Sequence, residues 1–156
     1  MSAIEYSITD ATLEDAMLMA HDVREVDVQE IWAANRSKPL EALVGCVRNS
    51  EHSRTGRANG EIVCMFGTMR SNLMGTKGII WMLGTDLLKK YAVRFLRENK
   101  NEIVKISSEF SIVENYCDTR NTATLRWLKW LGFTIEEAEP YGVYNLLFHH
   151  FYKEVS

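Results

Sequence analysis

An α/β fold, with a mixed central sheet and helices on both faces, is predicted for this chain by three observations. Asn59-Gly60 sits between two strand-like stretches and is a strong hairpin signal, because both residues tolerate the positive φ of a type I′ turn. Two runs, Ile62 to Phe66 and Gly78 to Leu83, are apolar without a polar alternation, as strands buried on both faces are. Amphipathic stretches with recognisable helix starts and stops lie before, between and after them, so that strands and helices are mixed along the whole chain.

Taken in order, the first strand is read at Ile4 to Thr9, where Ile4, Tyr6 and Ile8 alternate with polar neighbours. Thr12-Leu-Glu-Asp15 has the S/T-x-x-D/E pattern of a helix start, and Leu13, Met17 and Ala20 continue at helical spacing. A second helix covers Asp27 to Ala34 and is broken by Asn35-Arg-Ser-Lys-Pro39. Helical character resumes from Leu40 to Arg48, and the polar run Asn49 to Arg54 is a loop. Arg54 to Ala58 and Glu61 to Met69 flank the Asn59-Gly60 turn. The second of these is apolar on both faces and therefore central. Ser71 to Lys77 is a loop, and Gly78 to Leu83 is the next strand.

Gly84-Thr85-Asp86 turns the chain into a long helix from Asp86 to about Asn99, with Leu87, Leu88, Tyr91, Ala92, Phe95 and Leu96 inward. Asn99-Lys-Asn101 interrupts it before Ile103, Val104 and Ile106 resume a helical face. Phe110 to Tyr116 is a strand. From Asn121 to Phe133 a short helix has all its signals: Asn121 as N-cap, Leu125, Leu128 and Leu131 at helical spacing beside Trp127 and Trp130, and Gly132 as the stop. Arg126 and Lys129 are expected to point to water. A strand begins at Phe133, Glu139 to Gly142 is a turn, and Val143 to Tyr152 is the last strand.

A chain of 156 residues fits one domain, 1–156, and its 46% hydrophobic and 25% charged residues are those of an ordinary globular protein. A net charge of −3 gives no general attraction to nucleic acid or anionic lipid. Cys46, Cys64 and Cys117 are widely spaced, which signals neither a disulfide framework nor a zinc site and suits a reducing compartment. His21, His52, His149 and His150 show no metal-ligand pattern, so no metal is expected. The N-terminus lacks the basic region and apolar run of a signal peptide, and no segment reaches the ~20 apolar residues of a membrane span.

Asn121, Gly132 and Phe133 reproduce the spacing of N-x-x-A-x-x-x-Y-x-x-x-G-F, and in this the chain resembles the GNAT acyl-CoA N-acyltransferase superfamily. The element order agrees with the fold that the resemblance implies. Thr124 stands at the Ala position and Leu128 at the Tyr position, where many of those enzymes keep the acid that reprotonates a leaving thiolate. The resemblance also implies acetyl-CoA at the end of the central strand, held by Leu83, Gly84 and Thr85 with Asn121. There the family's [QR]-x-x-G-x-[GA] loop binds pyrophosphate through backbone amides and a helix N-terminus. In this chain the position reads WMLGTDLLKK, without the Arg/Gln or the second small residue, and with Asp86 where phosphate approaches. Asp86 is read instead as a helix cap, which leaves a weakened or lost cofactor site.

Several spaced motifs carry a narrower resemblance: Met65-Phe-Gly67, Trp81 to Asp86, the run Asn115 to Phe133, Pro140-Tyr-Gly142 and the terminal Phe148 to Phe151. In these the chain is similar to the tailed-phage internal virion protein A (gene product thirteen) family. That resemblance implies a phage protein in the cytoplasm of an infected cell or carried in the virion, with a protein partner from the virion or the host. Glu114 and Asp118, with Glu109 nearby, are the candidates for a base beside the strand before Asn121, and solvated strand-end carboxylates are the commoner reading. Trp127 and Trp130 read as core or as interface anchors. Tyr141, Tyr144, Phe148, Phe151 and Tyr152 either pack internally or self-associate into a homo-oligomer. The expected function is a catalytically degenerate GNAT-fold protein that acts by binding, with acetyl-CoA-dependent N-acetylation of a protein or small amine as the alternative.

Overall fold

The computed structural model describes residues 3–155. Along the chain run β1 (Tyr6–Asp10), α1 (Leu13–Met19), α2 (Glu25–Asn35), α3 (Pro39–Asn49), β2 (His52–Ala58), β3 (Glu61–Arg70), β4 (Lys77–Gly84), α4 (Leu87–Lys90), α5 (Ala92–Ser107), β5 (Ile112–Asp118), α6 (Thr122–Trp130), β6 (Thr134–Ile135), β7 (Glu139–Tyr141) and β8 (Leu146–Glu154). The strands form one mixed sheet in the order β1-β2-β3-β4-β5-β8, and the far edge of β8 carries both β6 and β7. Every pairing is antiparallel except that of β4 with β5.

The hairpin forms where its turn chemistry demands, with Asn59 at φ 51° and Gly60 at φ 84°. β3 lies between β2 and β4 and is buried from Val63 to Thr68, as its unalternating apolar run requires. Helices cover both faces. On one, Met19, Ile31 and Leu43 of α1 to α3 pack on Met65, Trp81 and Leu83. On the other, Leu88, Phe95 and Ile106 pack on Val63, Cys64 and Phe66, while Leu128 and Phe133 pack on Ile80, Val113 and Cys117.

The start of α1 is tied to the sheet by one carboxylate. Asp15 N–H donates to Thr12 Oγ1 at 3.0 Å and Thr12 N–H donates back to Asp15 Oδ2 at 3.2 Å, the reciprocal capping pattern of the sequence. The same carboxylate accepts from Thr55 Oγ1 at 2.9 Å and from the Arg57 guanidinium. Burial alone would raise its pKa. The bonds from Thr55, Arg57 and Thr12 outweigh burial and hold it below the usual carboxylate value.

Four elements differ from expectation, each for a local reason. Pro39 does not merely break α2: it occupies the first turn of α3, where its missing N–H is no loss. The long helix divides at Tyr91 (φ −109°, ψ 21°) into α4 and α5, and α5 then runs unbroken through Asn99 to Asn101. Asn99 faces inward there, and its Nδ2 donates to Tyr6 Oη at 3.0 Å, so the polar side chain is buried without ending the helix. Glu139 to Tyr141 is a strand on β8, and the turn falls one step later, at Gly142 (φ 79°) and Asn145 (φ 54°). Asn121 precedes α6 but makes no side-chain cap. Gly132 (φ 94°) ends α6 as expected, with Phe133 N–H donating to Leu128 O at 3.0 Å.

Replacing Asp15 by Ala leaves Arg57 and Thr55 facing a buried gap, and a loss of about 3 kcal/mol in urea unfolding at pH 7 is expected. Because the wild-type pKa is depressed, the gap between variant and wild type should close only as pH falls below the usual carboxylate range. A gap that stays constant down to pH 2 contradicts this assignment.

Candidate functional site

β4 and β5 pair for only three residues, Lys77 to Ile79 against Ile112 to Glu114, and then diverge. Asn115 marks the parting. Its Nδ2 donates to Ile80 O at 2.6 Å, taking the place of the next ladder bond, while its Oδ1 accepts from Tyr116 N–H at 2.8 Å. Beyond this point, from Ile80 to Gly84 and from Asn115 to Asp118, the sheet is open. A cavity of about 280 Å³ runs through the opening. Ile31, Ala34, Cys46, Trp81 and Tyr141 line its α2 side; Met82, Phe95, Trp127, Leu128 and Phe133 line the other.

A polar cluster closes the end of the opening. Asp27 of α2 has no exposure and accepts from Arg24 Nε at 2.6 Å, Arg24 Nη2 at 3.1 Å, Gly84 N–H at 2.8 Å and Asn121 Nδ2 at 3.2 Å. Arg24 also donates to Thr124 Oγ1 at 2.8 Å and lies over the Trp127 ring, 5.3 Å from its centre. Just before α2, Arg24 N–H donates to Gly84 O at 2.9 Å, and Val23 makes a β-bridge with Thr85. The segment 23–24 thus occupies the edge of β4 at its last residue, the far end of the open stretch.

Glu30 lies one turn along α2 and lines the cavity. The residue is half-buried, and its carboxylate accepts from Asp118 N–H at 2.6 Å and Asn121 Nδ2 at 3.3 Å. Burial is the main force on its pKa, and the negative charges of Asp27 and Asp118 add to it; the two hydrogen bonds only partly offset them. The carboxyl is pushed up to about 7. Cys117, beside it in the cavity wall, is a buried thiol whose pKa burial and the Glu30 charge raise, so it is an inert packing group at neutral pH. Cys46 is likewise pushed up to about 12 by burial.

No family model and no curated protein matches the chain. Solved structures match over nearly all of it. Ard1 from Thermoplasma volcanium has a TM-score of 0.73 at 13% identity, covering 97% of this chain and 98% of that one. An acetyltransferase of the GNAT family from Streptococcus pneumoniae gives 0.67 at 15%, over 97% and 100%. The yncA protein of Salmonella typhimurium, solved with its cofactor acetyl-CoA, gives 0.72 at 12%, over 97% and 94%. The chain has the GNAT fold.

Within that fold, the residues singled out by sequence fall in different places. Leu83 is buried and lines the cavity. Gly84 faces Asp27 and Arg24, and a Cβ there would meet Leu88 Cδ2 at 2.5 Å, so the glycine serves close packing. Thr85 turns toward β3, donating through Oγ1 to Ile62 O at 2.9 Å. Asn121 is 1% exposed and joins the Asp27–Glu30 cluster rather than capping, and its Oδ1 has no partner among the described residues. Asp86 is exposed and makes no cap hydrogen bond, so the capping role read from sequence does not hold.

Glu114 and Asp118 are not among the residues lining the cavity. Glu114 faces His150 at 3.7 Å, and Asp118 is held bidentately by Arg120, with 2.6 Å to Nη2. Glu109 pairs with His52 at 2.8 Å. The carboxylate that does line the cavity, Glu30, comes from a helix that sequence reading treated only as packing. Its signal was present in the spacing: Asp27 and Glu30 stand three apart and share a helix face with inward Ile31. Of the two tryptophans, Trp127 is half-buried under Arg24, and Trp130 is exposed beneath Lys100. Phe148 and Phe151 are buried within the sheet packing, and Tyr144 is exposed. No helix among the described residues is long and apolar enough to cross a membrane, and no group of three or more His, Cys, Asp or Glu there is placed to hold a metal.

A raised carboxylate pKa destabilises the fold as pH rises. Wild-type stability should therefore fall between the unfolded value near 4.5 and the folded value near 7, by on the order of 3 kcal/mol. Glu30→Gln removes this term. In urea unfolding it should match wild type at pH 4 and exceed it at pH 8; a constant difference across that range would show that Glu30 does not titrate in the fold.

Proposed function

We propose that the chain is an acyl-CoA-dependent N-acyltransferase whose reaction takes place in the opening between β4 and β5, with Glu30 as the base. One observation carries the reading: the sheet opens into a walled cavity of about 280 Å³ that holds a carboxylate poised near neutral pH. That is the environment in which a general base works best, since it must be ionised and still basic enough to take a proton.

The acyl end and pantetheine arm of acetyl-CoA suit this opening. Leu83 supplies apolar wall, whereas Asn121, buried in the Asp27–Glu30 cluster, is not among the residues lining the cavity. Alternation along β4 turns the Met82 backbone toward the gap, between Ile80 O, held by Asn115, and Gly84 N–H, held by Asp27. The glycine-rich phosphate loop is replaced by α4, so Lys89 and Lys90 are the basic groups left for phosphate, Arg94 being paired with Glu98 at 2.9 Å. Bound there, the coenzyme supplies an acyl group activated as a thioester. Glu30 accepts a proton from the incoming ammonium, and the freed amine forms the new C–N bond as the C–S bond breaks. The second amine proton goes with the thiolate. Leu128, apolar and buried, donates nothing.

A second reading rests on the closed end of the opening. Val23, Arg24 and Asp27 already use the edge of Gly84 and Thr85, and Asp86 sets a negative charge beside it. These features favour a degenerate GNAT-fold protein that works by binding another protein; the motif resemblance, not the geometry, adds the phage setting, with a virion or host protein as partner in the infected cell or the virion.

Isothermal titration with acetyl-CoA and coenzyme A, followed by thiol release with an amine panel, separates the two. The transferase reading expects micromolar binding, about −8 kcal/mol. It also expects kcat/KM to rise with pH through an apparent pKa near 7 and to fall about 10²- to 10⁴-fold in Glu30→Gln. No heat with either coenzyme and no thiol release would select the binding reading.

A further inference from the structure

We infer that the acceptor taken by this cavity is a primary amine carried on a flat apolar body with no second charge; the inference rests on the transferase reading above. Glu30 is the one carboxylate among the residues lining the cavity. The neighbouring acids are already committed. Asp27 is paired with Arg24 at 2.6 Å and Asp118 with Arg120 at 2.6 Å, while Glu114 at 3.7 Å and Glu136 both face His150. A first ammonium entering the cavity meets Glu30. A second would be stripped of water against apolar walls with no anion free to receive it, the costliest kind of burial. Polyamines and basic amino acids are disfavoured on that ground alone.

The aromatic side of the cavity supplies the complementary half. Tyr116 of β5 and Tyr141 of β7 stack at 3.8 Å with an interplanar angle of 13°, and the Phe148 ring lies 5.2 Å from Tyr141. All three line the same cavity as Glu30. Their position is fixed by Gly142, next to Tyr141, which comes so close to α2 that a Cβ would lie 2.5 Å from Ala33 O. The hairpin is therefore seated on the helix that carries Glu30, so the aromatic wall and the carboxylate keep one spacing. The stacked faces of Tyr116 and Tyr141 cover one another, so the wall offers a planar apolar group the remaining ring surface and edges that line the cavity.

The test uses the full chain at pH 8, where Glu30 is ionised, and three probes: 2-phenylethylamine, the neutral 2-phenylethanol, and spermidine. Binding to the coenzyme-free protein is read first by calorimetry, and acetyl transfer from acetyl-CoA second. The expected result is a Kd for 2-phenylethylamine at least about tenfold below those of both other probes, since each lacks either the charge or the apolar body. Tyr141→Ala should weaken it about fivefold while Tyr141→Phe keeps it, because the ring and not the hydroxyl makes the contact. Glu30→Gln should abolish the preference for the amine over the alcohol. Spermidine bound as tightly as 2-phenylethylamine, or equal binding of all three probes, would overturn the inference. Selective binding of 2-phenylethylamine with no acetyl transfer would leave the amine cavity standing and remove the transferase reading.

Discussion

The charge of Asp27 is the constraint on which the open half of the sheet depends. A carboxylate with no exposure is untenable without donors, and four converge on it, from Arg24, the Gly84 amide and the Asn121 side chain. These donors come from the lead into α2, the end of β4 and the start of α6. Satisfying one buried charge therefore fixes three segments at the point where β4 and β5 no longer hold each other. Without that anchorage nothing in the ladder would define the width of the opening.

The same cluster explains why two carboxylates on one helix behave differently. Asp27 receives a guanidinium in addition to neutral donors, so its environment repays its burial. Glu30, three residues on, receives only an amide N–H and a side-chain amide, and it feels the negative charges of Asp27 and Asp118. One group is a structural anion and the other a proton acceptor near neutrality, although their side chains differ by one methylene. Environment, not residue type, divides the roles.

Local chemistry was well written in the sequence. The Asn59-Gly60 turn, the Thr12 to Asp15 capping box, the Gly132 stop and the doubly apolar β3 each depend on residues close together in the chain, and each formed as read. Misreadings came where a polar residue found a distant partner. Asn121 had the identity and position of an N-cap, but Asp27 lies 94 residues away and took its amide. Asn99 looked like a helix breaker until Tyr6, 93 residues distant, received it. The site follows the same rule. Glu114 and Asp118 were conspicuous on their own strand, yet His150 and Arg120 engage them, while Glu30 acquires its character only from groups that pack onto it. Periodicity reports which face is apolar; it does not report which polar groups meet across the sheet.

The bonds that close the opening have a kinetic consequence. Asp27 to Gly84 spans 57 positions, and Arg24 to Thr124 spans 100, whereas the hairpins beside them close over a few residues. Ordering such distant groups costs chain entropy that only an assembled sheet can offset, so these contacts belong to the end of the folding route. The sheet halves on either side of the parting meet along only three residue pairs. The segment around Arg24 and Asp27 ties the two halves together beyond those pairs. The opening begins where the ladder ends, and the bonds around Asp27 that set its width are contacts between segments far apart in the chain.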